Sequence, residues 1–527
     1  MHRLGFKLQI KGGKDYNIVV MNTSKVNKNH SKNKHLTDEV IDILLFLVLG
    51  VLTAVFTISG LPQITVFPIS YPFKHLTYDK LYSLLLLLCT LIYTFLYFIF
   101  IERRYKKTGK RISKWLIAFL IAISCSRAIS NFSFPYGEIN WNILSPFDSI
   151  NYTLNYSGYS ILHRFIAFIT EVAFISYFLL PFTFIKSFES KKIYGLIKVG
   201  LWFLVILGLV MNICSWFMES KEILFNIKII LGKEHDNFHP IQSFTTHKNY
   251  YGFFLWMSAL ASLILYMEKP SHAFLYLLFI LNDLVVLTIV RSRIPFGLVV
   301  LVILFMLIHM AFVNRKLYKA NHIFALCVLA LAAFTFLVFL IFFRDTSLFS
   351  KIRALFTSFS DTGTITSRKE LHLRAICLLI KPFYWIFGIG KEPYYQLFHL
   401  AGETFGMEVV DFSHNAYLDQ ILCYGIFGLG LLCVLFGVLI YQCFYLIRKK
   451  NYKGFGYLFI LISYGIYAIG ESRLLFGIEG NEYFFILALL YPLIYEYEKT
   501  RNIKDYKAYV VREYYVYLLT KGLKVDS

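Results

Sequence analysis

Residues 411–429 read Asp411-Phe-Ser-His414-Asn415-Ala-Tyr-Leu418-Asp-Gln-Ile-Leu-Cys-Tyr-Gly425-Ile-Phe-Gly428-Leu, where a polar segment meets a long apolar run. After Asp419 no charged residue follows until Arg448, which predicts a membrane-spanning helix that begins near His414. A titratable side chain at the mouth of a span is costly to keep there, so His414 is a functional candidate. The alternative is a helix start that Ser413 or Asn415 caps, with His414 simply exposed to water.

The composition of the whole chain is that of a membrane protein. Of its 527 residues, 57% are hydrophobic and 16% are charged, whereas soluble domains carry about 25% charged residues. Apolar runs of about 20 residues recur between Val40 and Tyr495, and each can cross a bilayer as a helix. We therefore predict an all-α polytopic membrane protein with about twelve transmembrane helices and one large extracytoplasmic loop.

The charge and the cysteines argue against a nucleic-acid-binding protein and against a protein held by disulfides or metal ions. The net charge of +21 does not indicate nucleic acid, because the basic residues gather in short loops, as a positive-inside bias requires. The eight cysteines include no CxxC pair, and most lie in apolar runs. They are typical of small buried hydrophobic residues and not of disulfides or metal ligands.

The apolar runs and basic loops divide the chain into regions and spans. The regions are a basic cytoplasmic tail (1–38), spans one to nine (39–343), a large extracytoplasmic loop (344–415), spans ten to twelve (416–497) and a second basic cytoplasmic tail (498–527). We place the spans at about 40–59, 81–101, 112–130, 161–185, 194–217, 250–267, 273–290, 294–313, 322–343, 416–447, 455–475 and 481–497. Residues 131–160 and 218–249 are predicted outer segments. Both termini then lie in the cytoplasm.

Several arginines lie at or near the predicted outer face, against the positive-inside rule. They are Arg127, Arg164, Arg291, Arg293, Arg344, Arg353, Arg368, Arg374 and Arg473. A guanidinium can hold two phosphate oxygens at once, so a lipid diphosphate at the outer membrane surface is a natural ligand for such a cluster. The alternative is that these arginines reach to lipid headgroups or pair with carboxylates in the loops.

Four segments between about residues 240 and 475 carry a family resemblance. They are His247-Lys248-Asn249-Tyr-Tyr-Gly252, then Ser292-Arg293, then Ser367-Arg368-Lys-Glu-Leu371 with Phe387-Gly388-Ile-Gly390, and finally Ser413-His414-Asn415-Ala-Tyr-Leu418 with Gly425 and Gly428. In this order they resemble the O-antigen ligase and Wzy-type polysaccharide polymerase superfamily. The third segment departs from the usual pattern, because Ser367 stands where that superfamily usually has glycine and His372 where it usually has an aromatic residue.

The resemblance implies a fold similar to the GT-C glycosyltransferases and a glycosyl transfer at the outer leaflet of the bacterial inner membrane. The donor would be an oligosaccharide on undecaprenyl diphosphate, and the transfer would be inverting and independent of metals and cofactors. The implied roles are general base for His414, and diphosphate binding for Arg293 and Arg368. Implied supporting residues are His247, Lys248, Asn249, Asn415, Arg291 and Arg374. Candidates for the acceptor pocket are Arg127, Arg164, Glu171, Glu471 and Arg473.

The chemistry of these residue types agrees with those roles. A sugar hydroxyl is a poor nucleophile, so a base that titrates near neutrality helps it to react. Arginines can offset diphosphate charge in place of a metal, and the chain contains no HExxH or DxD motif. The alternatives are structural roles. Lys248 and Asn249 could simply cap the start of a span, with Lys248 reaching to the membrane surface. Glu171 could pair with Arg164 inside the membrane for structure alone.

Several functions remain open at this point. The chain could be a polymerase that joins lipid-linked repeats, which its length favours weakly, or a ligase that moves the glycan to another acceptor. A transporter of lipid-linked sugar is a different class, and it should show internal repeats and helices broken at the bilayer midplane. An inactive relative has the same fold. The lipid bilayer is an expected partner, a chain-length regulator is a further candidate, and nucleic acid is not expected.

Overall fold

The computed structural model describes part of the chain. The described residues are 5–10, 14–19, 114–133, 137–144, 149–156, 191–230, 248–313, 319–342, 382–390, 413–471 and 483–502, with a few single residues between them. They belong to two compact units, Met1–Val51 and Leu52–Ser527. Predicted spans one and two, and all of span four except four single residues, lie outside the described part.

The first unit contains one described element, an antiparallel hairpin. Strand β1 (Gly5–Ile10) pairs with strand β2 (Lys14–Val19), with Gly5 opposite Val19 and Ile10 opposite Lys14. The basic composition of residues 1–38 did not indicate these strands.

The second unit is mainly helical. Its helices are α1 (Lys114–Ser133), α2 (Lys191–Met218), α3 (Ser220–Ile230), α4 (Lys248–Glu268), α5 (Ala273–Val290), α6 (Arg293–Phe312), α7 (Lys319–Phe342), α8 (Pro382–Phe387), α9 (Ala416–Arg448), α10 (Lys453–Gly470) and α11 (Tyr483–Asn502). Within the described part, α1, α2, α4–α7 and α9–α11 coincide with predicted spans.

Six of these helices are long and apolar enough to cross a membrane: α2, α4, α5, α6, α9 and α10. This confirms a helical, polytopic membrane protein. The count of twelve spans and the large loop stay predictions.

A second hairpin lies in the segment 131–160 that was predicted as an outer loop. Strand β3 (Gly137–Leu144) pairs antiparallel with β4 (Ser149–Tyr156), and Trp141 is opposite Tyr152. Its sequence alternates polar and apolar residues, which is the period of a strand. Helix α3 lies in the other predicted outer segment, so both segments contain regular secondary structure.

Helix α4 is the centre of the helical unit. It contacts α2, α5, α6, α10 and α11, and Trp256 and Tyr251 on it are fully buried. The Trp256 ring stacks on Tyr467 of α10 with centroids 4.6 Å apart and on Tyr464 at 6.0 Å. Such aromatic pairs contribute beyond the area that they bury. These ring contacts hold α10 against α4. The start of α4 lies beside the end of α10, and the end of α4 lies beside the start of α10.

The end of the bundle at which α10 begins is held by ion pairs around Lys453. Lys453 Nζ lies 2.6 Å from Glu268 Oε1 and 3.3 Å from Glu496 Oε2. Asn451 Nδ2 donates to Glu496 Oε1 at 3.0 Å. The contacts join α4, α10 and α11. We call this end the Lys453 end.

Helix α9 is broken at Gly425, which corrects the prediction of one continuous span over 416–447. Gly425 has φ 69° and ψ −178°, outside the helical region. The break frees carbonyl groups, and backbone amides of the segment after α8 reach them. Ile389 N–H donates to Leu422 O at 2.8 Å, and Gly390 N–H to Cys423 O at 2.9 Å. A span can be interrupted because the freed groups find partners in the protein.

The inserted segment needs glycine at the contact. Gly388 has φ 76°, and a Cβ there would lie 2.3 Å from Cys423 C and Tyr424 N. A Cβ on Gly425 would lie 2.0 Å from Ile386 O. Gly388 and Gly425 are therefore needed for the same contact, in which the segment after α8 packs against the break in α9.

Candidate functional site

His414 lies at the start of α9 in a backbone conformation that few residues adopt. Its φ is 56°, in the left-handed region, where histidine, asparagine and aspartate are enriched among non-glycine residues. The next residue, Asn415, is the N-cap, and its side-chain oxygen accepts from Tyr417 N at 3.1 Å and Leu418 N at 3.2 Å. The capping alternative therefore holds for Asn415. His414 itself is partly exposed, with 22% of its side chain accessible.

A buried carboxylate fixes the backbone on the other side of His414. Asp419 is 1% exposed, and its Oδ1 accepts from Ser413 N–H at 3.0 Å and from Ser413 Oγ at 2.5 Å. The Tyr394 hydroxyl donates to the same oxygen. Burial, and then the charge of Asp419, raises the pKa of Tyr394 well above its usual value, so this hydroxyl stays a donor. The turn that carries His414 is thus held from both sides.

The carboxylate of Glu471 joins His414 to a residue of α4. Glu471 is the C-cap of α10 and is 7% exposed. Its Oε2 lies 3.5 Å from His414 Nδ1, and its Oε1 accepts from Asn249 Nδ2 at 3.2 Å. Its backbone carbonyl accepts from Ala416 N–H at 3.2 Å. The start of α4, the end of α10 and the start of α9 therefore meet at this carboxylate. We call this the His414 end.

Basic residues of three helices come together at the same end. Arg291 is the C-cap of α5 with φ 56°, and Arg293 begins α6. Burial, and then the charges of Arg293 and Arg291, lower the pKa of Lys248 at the start of α4. Like charges held close together repel one another, and an anion among them would relieve this repulsion. Together with the neighbouring Asn249 contact, this places predicted diphosphate and supporting residues beside the His414 turn.

A glycine allows this approach. A Cβ on Gly252 of α4 would lie 2.3 Å from Ser292 Oγ and 3.1 Å from Pro295 Cγ. Ser292 is 1% exposed. The turn between α5 and α6 can therefore rest on α4 only because position 252 has no side chain. This links the first two sequence segments in space.

Three of the acceptor-pocket candidates, Arg127, Arg164 and Glu471, lie in the described part of the chain. Arg127 of α1 is 4% exposed, and its guanidinium lies over the Tyr424 ring. Tyr424 is about 13 Å along α9 from Asn415 at 1.5 Å per residue, so Arg127 is deeper in the bundle than His414. Arg164 is buried. The remaining predicted site residues lie outside the described residues, and they are Glu171, His247, Arg368, Arg374 and Arg473.

The sequence did not reveal two residues that shape the site. Asp419 anchors the turn, and the only signal for it was its position as the last charge before a long apolar run. Tyr394, which binds Asp419, had no signal, because tyrosine is common throughout this chain. Glu471 was a candidate for the acceptor pocket, and its carboxylate in fact lies against His414 and Asn249.

A comparison with known families supports the resemblance. Residues 275–433 match the family model described as O-Antigen ligase. This confirms the O-antigen ligase and polymerase superfamily over α5–α8 and the first half of α9, including Arg291, Arg293 and His414. It supports an O-antigen ligase- or polymerase-type function for a multi-pass bacterial membrane protein. No curated protein matches the chain. Lys248, Asn249 and Glu471 lie outside the matched range.

Proposed function

We propose that this relative of the O-antigen ligases is a membrane polymerase of lipid-linked oligosaccharide repeats. The donor is a repeat on undecaprenyl diphosphate, and the reaction takes place at the outer leaflet of the bacterial inner membrane. The product is the growing glycan of a surface polysaccharide such as a capsule, an O-antigen or an exopolysaccharide. The observation that carries the proposal is the chain of contacts from His414 through Glu471 to Asn249. Asn249 adjoins Lys248, whose pKa is lowered by burial and then by the charges of Arg293 and Arg291.

In this reaction His414 is the general base. It takes the proton of the acceptor hydroxyl while the hydroxyl oxygen forms a bond to the anomeric carbon of the donor sugar. The bond between that carbon and the diphosphate oxygen breaks, and the lipid diphosphate leaves with the electron pair. Attack from the side opposite to the leaving group inverts the configuration. General base catalysis of this kind contributes about 10²- to 10⁴-fold to a rate.

The basic cluster binds the diphosphate. Arg293 and Arg368 are the proposed diphosphate ligands, and Lys248 and Arg291 add positive charge beside Arg293. Fixed cations stabilise the charge that develops on a leaving group without any reorganisation during the reaction. This role is open to side chains alone, so we propose a transfer that needs no metal ion.

The break in α9 does not favour the transporter alternative. Transporters place broken helices near the bilayer midplane. The part of α9 after Gly425, residues 426–448, is about 34 Å long at 1.5 Å per residue, which is enough to cross a hydrocarbon core of about 30 Å. The short part before Gly425 lies at the His414 end. This places the break near one surface of the membrane and not at its midplane, as expected for an enzyme whose site opens to one side.

A ligase is the second candidate, because the matching family model is described as O-Antigen ligase. The two functions share the donor and the proposed base and differ in the acceptor. In a polymerase the acceptor is a second lipid-linked repeat. In a ligase it is a different molecule.

One assay tests both. Purified protein receives a lipid-diphosphate-linked repeat and excess chelator, and the glycans are separated by length on a gel. We expect a ladder of lengthening chains that His414→Asn abolishes. A single transfer that occurs only when a second acceptor is supplied would assign the chain as a ligase. No transfer to either acceptor would contradict the proposal.

A further inference from the structure

We infer that Glu471 is the positioning residue of His414, and this inference rests on the proposed function. Glu471 Oε2 lies 3.5 Å from His414 Nδ1. Glu471 follows α10, whereas His414 precedes α9, so the contact joins two segments that are far apart in the sequence. Residue 471 also lies beyond the range that matches the family model, 275–433, so the family match gives it no role.

The carboxylate is held in place by more than its contact with the imidazole. Its second oxygen accepts from Asn249 Nδ2 at 3.2 Å, and the Glu471 backbone carbonyl accepts from Ala416 N–H at 3.2 Å. Only 9% of its side chain is exposed. A buried carboxylate must be compensated by hydrogen bonds or opposite charge, and Asn249 contributes to this at Oε1. The bond from Ala416 N–H holds the backbone of residue 471 instead. Three segments therefore fix one carboxylate oxygen towards the His414 ring.

This arrangement selects the nitrogen that acts on substrate. A carboxylate next to one ring nitrogen favours the tautomer with the proton on that nitrogen. With the proton on Nδ1, next to Glu471, Nε2 keeps its lone pair and accepts the proton of the acceptor hydroxyl. The ring then carries a positive charge, which the adjacent carboxylate stabilises. Glu471 does not itself take the proton, so it positions the base and is not a catalytic residue.

The basic cluster and this pair are joined through α4. Asn249 contacts Glu471. The pKa of the preceding residue, Lys248, is lowered by burial and then by the charges of Arg293 and Arg291. The first turn of α4 therefore links the group that holds the base to the group proposed to hold the diphosphate. Asn249 thus has a specific role, because its amide keeps the Glu471 carboxylate directed at His414.

The test is a double-mutant cycle on the purified full-length protein. Glu471→Gln, Glu471→Asp and Asn249→Ala are made in the wild type and in the His414→Asn background. The control is Glu498→Gln, which removes a carboxylate on α11 whose partner Arg501 is 4.0 Å away. For each protein, kcat and KM are measured with the lipid-diphosphate-linked repeat, and a thermal unfolding curve in detergent reports folding.

We expect Glu471→Gln to lower kcat by about ten- to a hundredfold, by analogy with the range seen when a carboxylate that orients a metal-bound histidine is lost. KM for the donor should stay within about twofold, because the proposed diphosphate ligands do not include Glu471. Glu471→Asp should restore part of the lost rate, and Asn249→Ala should lower kcat less than Glu471→Gln does. In the His414→Asn background none of these changes should lower kcat further, since residues that act as a unit are not additive.

Three results would overturn the inference. The first is a wild-type kcat in Glu471→Gln. The second is an equal loss of kcat from Glu471→Gln in both backgrounds, since a purely structural carboxylate acts independently of His414. The third is a wild type that transfers no sugar, which would remove the proposed function as well. In the first two cases the wild type is active, so a failure of this inference is distinguishable from a failure of the proposed function. If Glu471→Gln fails to fold, Asn249→Ala decides by the same comparison.

Discussion

Gly252 of α4 and Ser292 of the turn between α5 and α6 are in direct contact, so that a Cβ on Gly252 would lie 2.3 Å from Ser292 Oγ. Arg291 and Arg293 flank Ser292 on either side. The contact therefore sets the position of both arginines relative to Lys248, one turn before Gly252 on the same helix. The geometry of the basic cluster depends on an absent side chain.

Gly252→Ala should displace the turn and weaken both activity and stability. Because the backbone at this contact has no room for a methyl group, we expect a loss of about 1–3 kcal/mol in the free energy of unfolding and a higher KM for the lipid-linked donor. Thermal unfolding in detergent and steady-state kinetics measure the two effects. Gly297→Ala is the matched control, because a Cβ at Gly297 of α6 would meet no atom within 4 Å. Equal behaviour of the two variants would contradict the role of Gly252.

Lys248→Gln should stabilise the free protein while impairing donor binding. Burial, then Arg293 and Arg291, lower the pKa of Lys248 below its usual value, so its charge destabilises the folded state. That destabilisation is fully present below the lowered pKa. It is lost as the pH rises through the lowered pKa towards the usual value of 10.5. The variant should therefore unfold at a higher temperature than the wild type near pH 7, and the difference should shrink in alkaline buffer.

The same variant should have a raised KM for the diphosphate donor, because a cation of the proposed binding cluster is lost. Lys221→Gln, on the exposed surface of α3, serves as the control and should change neither property. A Lys248→Gln protein that is less stable than the wild type at neutral pH would show that Lys248 makes a net favourable contact.

Gly425→Ala should be among the most destabilising single substitutions in α9. A methyl group would lie 2.0 Å from Ile386 O, at a residue whose φ is 69°. Strain of this backbone type alone costs about 1–3 kcal/mol, and displacement of the segment after α8 would break its bonds to Leu422 and Cys423. Gly430→Ala is the comparison, since a Cβ there meets nothing within 4 Å and alanine favours a helix by about 0.5–1 kcal/mol. If both variants unfolded at the same temperature, the break at Gly425 would not be a fixed feature of the fold.

Lys453→Met should destabilise the bundle without a specific effect on catalysis. It leaves Glu268 and Glu496 buried without their shared cation, and breaking such a pair costs about 3–5 kcal/mol. The lower end of this range applies here, because 22% of the Lys453 side chain is exposed and Lys198 Nζ still lies 4.0 Å from Glu268 Oε2 in the variant. The site is about 27 Å away along α10 at 1.5 Å per residue. Thermal unfolding and kcat at a permissive temperature check this. A large drop in kcat for folded protein would show coupling between the two ends.

The sequence was sufficient for the helices and for one end of the site. The border at His414 predicted a helix start, and α9 begins at Ala416. Apolar runs of about 20 residues likewise predicted α4, α5 and α6. By contrast, Gly425 lies in an apolar run without local sign of a break, because its conformation depends on backbone groups near Gly388 and Gly390. Likewise, the His414–Glu471 contact joins two helix ends that are far apart in the sequence. Neither segment on its own predicts that the other lies next to it.

The role of His414 as the base is tested most directly by the rate at which purified protein releases undecaprenyl diphosphate from a lipid-linked repeat, with His414→Asn as the test variant. Asparagine tolerates the left-handed conformation of residue 414, so the variant removes the ring and keeps the turn. Lys450→Asn changes another residue with positive φ, 61°, and is the control. We predict a loss of about 10²- to 10⁴-fold for His414→Asn and none for Lys450→Asn. A wild-type rate for folded His414→Asn protein would contradict the assignment of His414 as the base.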